Sequence, residues 1–173
     1  MVNQDFLSSS KKWDWETPRN DFDKINEVFQ FKIDVAATND NAKCSLCITP
    51  EMDAFKIDWS PSPWFLNPPW GNEYTKSTGL DLMNWGIKIK EQVSKGNEGV
   101  LLCGARTDTK WWQYCAGFSN YILFSNRRIA FEDKTRGKPS QPTFPSCYII
   151  YMNHLNELQI NGLRNTGVLV KNY

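Results

Sequence analysis

The stretch Trp64-Phe65-Leu66-Asn67-Pro68-Pro69-Trp70 joins three consecutive apolar residues to a polar, proline-rich turn. An apolar run bounded by turn-forming residues is typical of a short buried strand. Residues 31–37 and 99–103 are further apolar runs of this kind, and stretches with helical spacing lie between the strand candidates. The alternation predicts an α/β fold, with a mostly parallel sheet and helices on both faces.

The helical stretches have recognisable starts and apolar faces. Thr17 can cap a helix that has Pro18 in its first position, which predicts a helix over residues 18–29. Residues 80–93 repeat apolar side chains along one side and predict another helix. Further elements are expected as helices at 42–47 and 109–116, and as extended segments at 121–124, 128–131 and 147–152.

The chain length and composition fit one ordinary folded domain. The 173 residues are 40% hydrophobic and 23% charged, and no apolar stretch reaches the length of a membrane helix. Residues 1–12 read as a flexible leader without a signal-peptide core, residues 13–152 as the domain, and residues 153–173 as a C-terminal tail packed on or trailing from it. A cytoplasmic protein is expected, with no membrane partner.

Cysteine and charge usage limit the classes of site. The five cysteines are an odd number, and one histidine is too few to complete a zinc site with Cys44 and Cys47, so neither disulfides nor a metal is expected. The formal net charge is +1. Basic residues outnumber acidic ones after residue 99 and the reverse holds before it, which fits either a polyanion partner or a solvated face.

The turn after residues 64–66 carries groups suited to a planar amine. At the carboxyl end of a strand in an α/β sheet, where ligands bind, Asn67 offers a side-chain carbonyl and Pro68 a backbone carbonyl. Two such acceptors aimed at the two hydrogens of an aromatic amine would make its nitrogen more electron-rich toward a methyl donor. Trp70 adds a stacking face. The alternative is that these residues form only a turn.

The order of several motifs resembles a known family. The motifs are residues 14–18 (DWETP), 33–38 (IDVAAT), 41–44 (NAKC), 49–55 (TPEMDAF), 67–70 (NPPW) and 105–109 (ARTDT). Together they resemble the phage-type DNA N-6-adenine methyltransferases, the phage Dam-like family, from about Trp13 to Met152. The resemblance implies a single Rossmann-like domain dependent on S-adenosylmethionine, which methylates adenine N6 in double-stranded DNA.

The resemblance also assigns roles to individual residues. The catalytic residues it implies are Asn67, Pro68, Pro69 and Trp70. The cofactor-binding residues it implies are Thr17, Pro18, Asp34, Ala36, Asp53, Ala54 and Asn67. The target base would be flipped out of the duplex, within a short, GATC-like site. A phage origin is implied, and restriction-modification is one role that the resemblance leaves open.

Basic residues in the second half of the chain are candidates for DNA contact, because lysine and arginine bind phosphates. The candidates are Arg106, Arg127, Arg128, Lys134, Arg136 and Lys138. Arg106 could instead pair with Asp108, and the others could belong to a solvated loop over residues 132–145. Since no recognition domain is visible, specificity is expected from such loops or from a second subunit, as in a homodimer.

Two departures from related enzymes keep other functions open. No glycine follows Asp34, where most cofactor-binding methyltransferases have a glycine-rich turn, and Trp70 stands where tyrosine is commoner. The alternatives are methylation of another planar amide such as a protein glutamine, a catalytically inactive DNA-binding or anti-restriction module, and a structural or partner-binding protein. Loss of methyl transfer in Asn67→Ala would favour the DNA methyltransferase.

Overall fold

The computed structural model describes residues 15–69, 71–132 and 144–172. Within these ranges the helices are α1 Arg19–Phe29, α2 Asn72–Thr78, α3 Leu82–Ser94, α4 Lys110–Gly117 and α5 Glu157–Arg164. The strands are β1 Ile33–Asp34, β2 Leu46–Cys47, β3 Trp64–Leu66, β4 Gly99–Gly104, β5 Tyr121–Ser125, β6 Ser146–Tyr151 and β7 Gly167–Lys171.

The strands form one mixed sheet in the order β2-β1-β3-β4-β6-β5-β7. The first four strands in this order pair in parallel, whereas β6 is antiparallel to both of its neighbours and β7 is antiparallel to β5. The expected α/β class is confirmed, but the parallel character holds fully only from β2 to β4. The difference arises because β6 inserts between β4 and β5 and runs against both.

Helices cover both faces of the sheet, because side chains alternate along each strand. Trp64 and Leu66 of β3 pack in a cluster that includes residues of α3 and α4. Phe65, between them, packs in the opposite cluster with residues of α1 and α5. A Cβ atom on Gly99 of β4 would lie 2.1 Å from the ring of Trp64, so only glycine admits this close strand packing.

Most predicted elements are present, with shifts at their ends. The predicted helix at 80–93 begins two residues later because Asp81 caps it, accepting from the Asn84 N–H at 3.0 Å. The predicted helix over 18–29 begins at Arg19, since Pro18 is extended and is itself the N-cap. The capping role predicted for Thr17 is wrong, because no side-chain hydrogen bond caps this helix.

Two element predictions were wrong, and a third was confirmed only in part. Residues 42–47 are not helical, because Leu46 and Cys47 pair with β1 as strand β2. Residues 128–131 form no strand. The strand predicted over 31–37 is present as β1 at residues 33–34, and the Lys32 and Val35 N–H groups beside it also donate to the carbonyls of Pro63 and Phe65. Helix α2 was not predicted, since its sequence is polar and has no apolar period.

The segment after Met152, expected as a tail, forms α5 and β7. Asn156 caps α5 by accepting from the Gln159 N–H at 2.9 Å. β7 pairs with β5 along all five of its residues, so this segment completes the edge of the sheet. Val168 and Val170 remain largely exposed there, which hid the strand from an analysis based on apolar runs.

Candidate active site

A cavity of 560 Å³ opens where β1 and β3 end. These neighbouring strands are parallel, with Asp34 in register with Phe65, so the residues that follow them meet at one edge of the sheet. Predicted site residues that line the cavity are Thr17, Asp34, Ala36, Asp53, Ala54, Asn67 and Pro69. Pro18 and Pro68 are not in this lining, and Trp70 lies outside the described residues.

Asn67 is held from the N-terminal side of the chain. Its Nδ2 donates a hydrogen bond to the Trp15 carbonyl at 3.0 Å, which fixes the plane of the side-chain amide. Pro68 is buried and lies beside Leu82 and Trp85 of α3, with no room for a water molecule between them. The turn that presents the two carbonyl groups is therefore anchored on both sides, by a hydrogen bond and by apolar packing.

Asp34 is a buried carboxylate that organises the loop after β1. Its Oδ2 accepts from the Lys43 N–H at 3.0 Å, and its Oδ1 lies 3.5 Å from the Ala36 N–H. Burial raises the pKa of this carboxyl from its ordinary value of 3.8 to about 6, although the two backbone donors and the charge of Lys43 oppose the shift. Buried carboxyl groups with a raised pKa are common at functional sites, and they also occur where a carboxylate holds a loop.

The loop after β1 needs no glycine. Among the described residues, the non-glycine residues with positive φ are Gln30 and Asp53, so the segment 35–45 contains none. Residues 38–42 form a compact turn in which the Ala42 N–H donates to the Thr38 carbonyl and Asn41 Oδ1 accepts from the Thr38 N–H. Because no left-handed residue is required, the missing glycine-rich turn does not disrupt the cavity.

Glu16 and Lys43 line the cavity and were not predicted as site residues. Their charged groups lie 3.9 Å apart, and each side chain is 11% exposed. The backbone of Glu16 also pairs with Glu132 through two hydrogen bonds, which fixes the segment over the cavity. Both residues belong to motifs recognised in the sequence, but residues 27 positions apart give no sequence signal of an ion pair.

A second wall of the cavity surrounds Asp53. This residue has φ 59°, and its Oδ1 accepts from the Phe55 N–H at 3.1 Å. The hydrogen bond from Lys56, whose Nζ lies 2.9 Å from Oδ2, holds the pKa of Asp53 below its ordinary value. Phe55 and Trp85 lie beside it with ring centroids 4.6 Å apart, so an aromatic surface adjoins the carboxylate.

The candidate DNA-contacting residues have different environments. Arg106 follows β4, and its guanidinium lies 4.9 Å from the ring centroid of Phe144 rather than in an ion pair with Asp108 within the described residues. Arg127 forms an ion pair with Asp21 of α1, and Arg128 is exposed. The remaining three candidates, Lys134, Arg136 and Lys138, lie outside the described residues.

The described residues form neither a metal centre nor a membrane-spanning helix. In residues 15–69, 71–132 and 144–172, no cluster of three or more histidine, cysteine or acidic residues is arranged to hold a metal ion. Over the same ranges, each helix is too short or too polar to cross a bilayer.

Comparison with known proteins adds an independent observation. The family model described as DNA N-6-adenine-methyltransferase (Dam) matches residues 5–169. The Escherichia coli (strain K12) protein named "Putative methyltransferase YfdM" is 40% identical over 63 residues, a match that covers 32% of this chain and 69% of that protein. The residues matched by the family model include every segment that lines the cavity.

Proposed function

Because the chain belongs to the DNA N-6-adenine-methyltransferase (Dam) family, we propose that it transfers a methyl group from S-adenosylmethionine to the N6 amine of adenine in DNA. The observation that carries this proposal is the single cavity that brings together Thr17, Asp34 and Asn67. These residues come from three separate segments of the chain, and each was assigned to the site from the sequence alone.

The chemistry at Asn67 suits an adenine amine. The lone pair of this amine is delocalised into the ring, so the nitrogen becomes nucleophilic only when its two hydrogens are drawn out of the ring plane. Asn67 Oδ1 and the Pro68 carbonyl are acceptors for those hydrogens, and the contact with the Trp15 carbonyl keeps the amide from rotating. Acceptors fixed in advance need no reorganisation during the reaction.

The residues of the cavity fit an adenosyl donor that has both apolar and polar parts. Asp53 can accept from ribose hydroxyls, while Ala54 and the aromatic pair Phe55 and Trp85 offer an apolar surface for the adenine. Thr17 is 2% exposed, and its hydroxyl makes no hydrogen bond within the described part of the chain. A buried polar group without a partner is costly, which favours a ligand at this position. S-adenosylmethionine, when bound, supplies an electrophilic methyl group.

The target adenine must leave the duplex to reach Asn67. Flipping a base costs about a few kcal/mol, and stacking and polar contacts in a pocket offset that cost. We propose that Trp70, next to the acceptor pair in sequence, supplies a stacking surface for the base.

Arg106 is the described cation best placed to bind a DNA phosphate. It follows β4, which neighbours β3 in the sheet, so it emerges at the same edge as Asn67. Arg106→Ala is expected to weaken duplex binding by about tenfold at low salt and to reduce the salt dependence, with little change in donor affinity. Fluorescence anisotropy across a salt series measures the DNA affinity and its salt dependence. Arg164→Ala, at an exposed residue of α5, is the matched control. Equal DNA affinities for Arg106→Ala and Arg164→Ala would contradict a role of Arg106 in phosphate binding.

The proposed function is tested by transfer of labelled methyl from S-adenosylmethionine to unmethylated DNA. The substrates are a library that includes GATC sites and, separately, glutamine-containing peptides. N6-methyladenine after digestion to nucleosides is the expected product. Label in the peptides alone would replace the proposal by protein methylation, and salt-sensitive DNA binding without any transfer would favour an inactive DNA-binding module.

A further inference from the structure

The cavity contains one pair of opposite charges that the reaction chemistry leaves without a role. Among the described residues, the charged ones in its lining are Glu16, Asp34, Lys43 and Asp53, of which Lys43 is the one cation. Asp34 is engaged by backbone donors and Asp53 by Lys56. The Glu16 and Lys43 side chains are nearly buried, where an ion pair gains little net stability after its desolvation.

The geometry of the pair leaves capacity for a ligand. The separation of 3.9 Å between Lys43 Nζ and Glu16 Oε2 exceeds the 2.7–2.9 Å of a direct charge-assisted hydrogen bond. An ammonium group has three donors, so Lys43 can bind an additional carboxylate without releasing Glu16 from its vicinity. The Thr17 hydroxyl, adjacent to Glu16 in the chain, has no hydrogen bond within the described residues.

The pair also lies on the Asn67 side of the cavity. Glu16 directly follows Trp15, whose carbonyl accepts from Asn67 Nδ2, and its backbone is fixed by the bridge to Glu132. Lys43 is fixed at its backbone, where its N–H donates to Asp34 and its carbonyl accepts from Arg19 at 3.0 Å. The segment of Trp15 and Glu16 therefore carries both the carbonyl that orients Asn67 and the anion of the pair.

From these observations we infer that Glu16 and Lys43 together recognise the zwitterionic amino-acid end of the methyl donor, with Lys43 binding its carboxylate and Glu16 its ammonium group. This assignment rests on the proposed function. A zwitterion requires an anion and a cation close together, and this pair supplies both beside Asn67. The donor is thereby oriented with its adenosyl end toward Asp53 and Phe55, on the other wall.

Two ligands that differ only at the amino-acid end test the inference by calorimetric titration. S-adenosylhomocysteine carries the zwitterion, and 5′-methylthioadenosine has a methyl group in its place. The native protein is expected to bind the first more tightly. Lys43→Met and Glu16→Gln are each expected to weaken S-adenosylhomocysteine binding on the order of 10- to 100-fold and to leave 5′-methylthioadenosine binding unchanged.

A control variant separates ligand recognition from a structural role. Lys95→Met breaks an ion pair with Asp58 and Glu91 that is not in the cavity lining, and should change neither affinity. An equal loss for both ligands in the single variants would overturn the inference in favour of a structural ion pair.

The remaining outcomes distinguish this inference from the proposed function. If the native protein binds both ligands equally, or if the single variants bind S-adenosylhomocysteine as the native protein does, the assignment of Glu16 and Lys43 fails while the adenosyl donor stands. If the native protein binds neither ligand, the proposed function fails and this assignment fails with it.

Discussion

Replacing Asn67 by alanine is expected to lower the rate of methyl transfer to DNA by at least about 100-fold, the usual effect of removing one fixed hydrogen-bonding group from a transition state. The substitution removes the side-chain acceptor proposed for the adenine amine. It also removes the Nδ2 donor that binds the Trp15 carbonyl at 3.0 Å. Single-turnover transfer of labelled methyl at saturating donor and DNA measures the loss.

Two further variants show which of these losses matters. Asn165→Ala at the end of α5 changes an exposed asparagine outside the cavity and should retain the native rate. Asn67→Asp keeps an acceptor but cannot donate to the Trp15 carbonyl, so it reports the cost of losing the orienting contact. A native rate in Asn67→Ala would remove this residue from the catalytic assignment.

Replacing Asp34 by asparagine is expected to stabilise the folded protein at neutral pH by about 1–3 kcal/mol. Burial raises the pKa of Asp34 from 3.8 to about 6, so the folded protein holds a proton that the unfolded chain has released over this range. The contribution of Asp34 to stability therefore falls as the pH rises from about 4 to 6. Asparagine has no such charge. Its one carbonyl oxygen can still accept from the Lys43 N–H, while its Nδ2 cannot replace the long contact of Oδ1 with the Ala36 N–H, which reduces the gain.

The measurement is the free energy of unfolding in urea for the native protein and Asp34→Asn, across the pH range from 4 to 8. The difference in the free energy of unfolding between the two proteins should grow from about pH 4 to 6 and level off above that range. Asp53→Asn is the matched control, because the lowered pKa of Asp53 makes its contribution present above its usual pKa and lost as the pH falls. A pH-independent difference for Asp34→Asn would show that this carboxyl titrates normally.

The proposed binding of the methyl donor gives a reason why a carboxylate that destabilises the fold is present at this site. Asp34 holds the backbone of residues 36 and 43, and this loop positions Lys43 at the cavity. Burying the charge of Asp34 lowers the stability of the fold, but its hydrogen bonds order a loop that contains no glycine. Active sites commonly retain groups of this kind at the expense of stability.

Apolar patterns in the sequence predicted those elements that are stabilised by burying their own apolar side chains. The apolar run at residues 64–66 predicted β3, and the apolar spacing over 80–93 predicted α3. Both predictions were confirmed because burial of an apolar run forms the strand and burial of an apolar stripe forms the helix. The edge strands were not found in this way. Leu46 of β2 and Val168 of β7 are largely exposed, and their strand conformation comes from hydrogen bonds to a neighbouring strand.

The sequence by itself determined that Asn67 follows a buried strand and that Asp34 belongs to another, since motif order and apolar runs are properties of the chain. It could not determine that the Trp15 carbonyl orients Asn67, that Glu16 meets Lys43, or that Thr17 is left without a capping role. Those contacts join residues 27 to 52 positions apart. Only the folded sheet, which aligns the ends of β1 and β3 beneath the N-terminal segment, brings them within bonding distance.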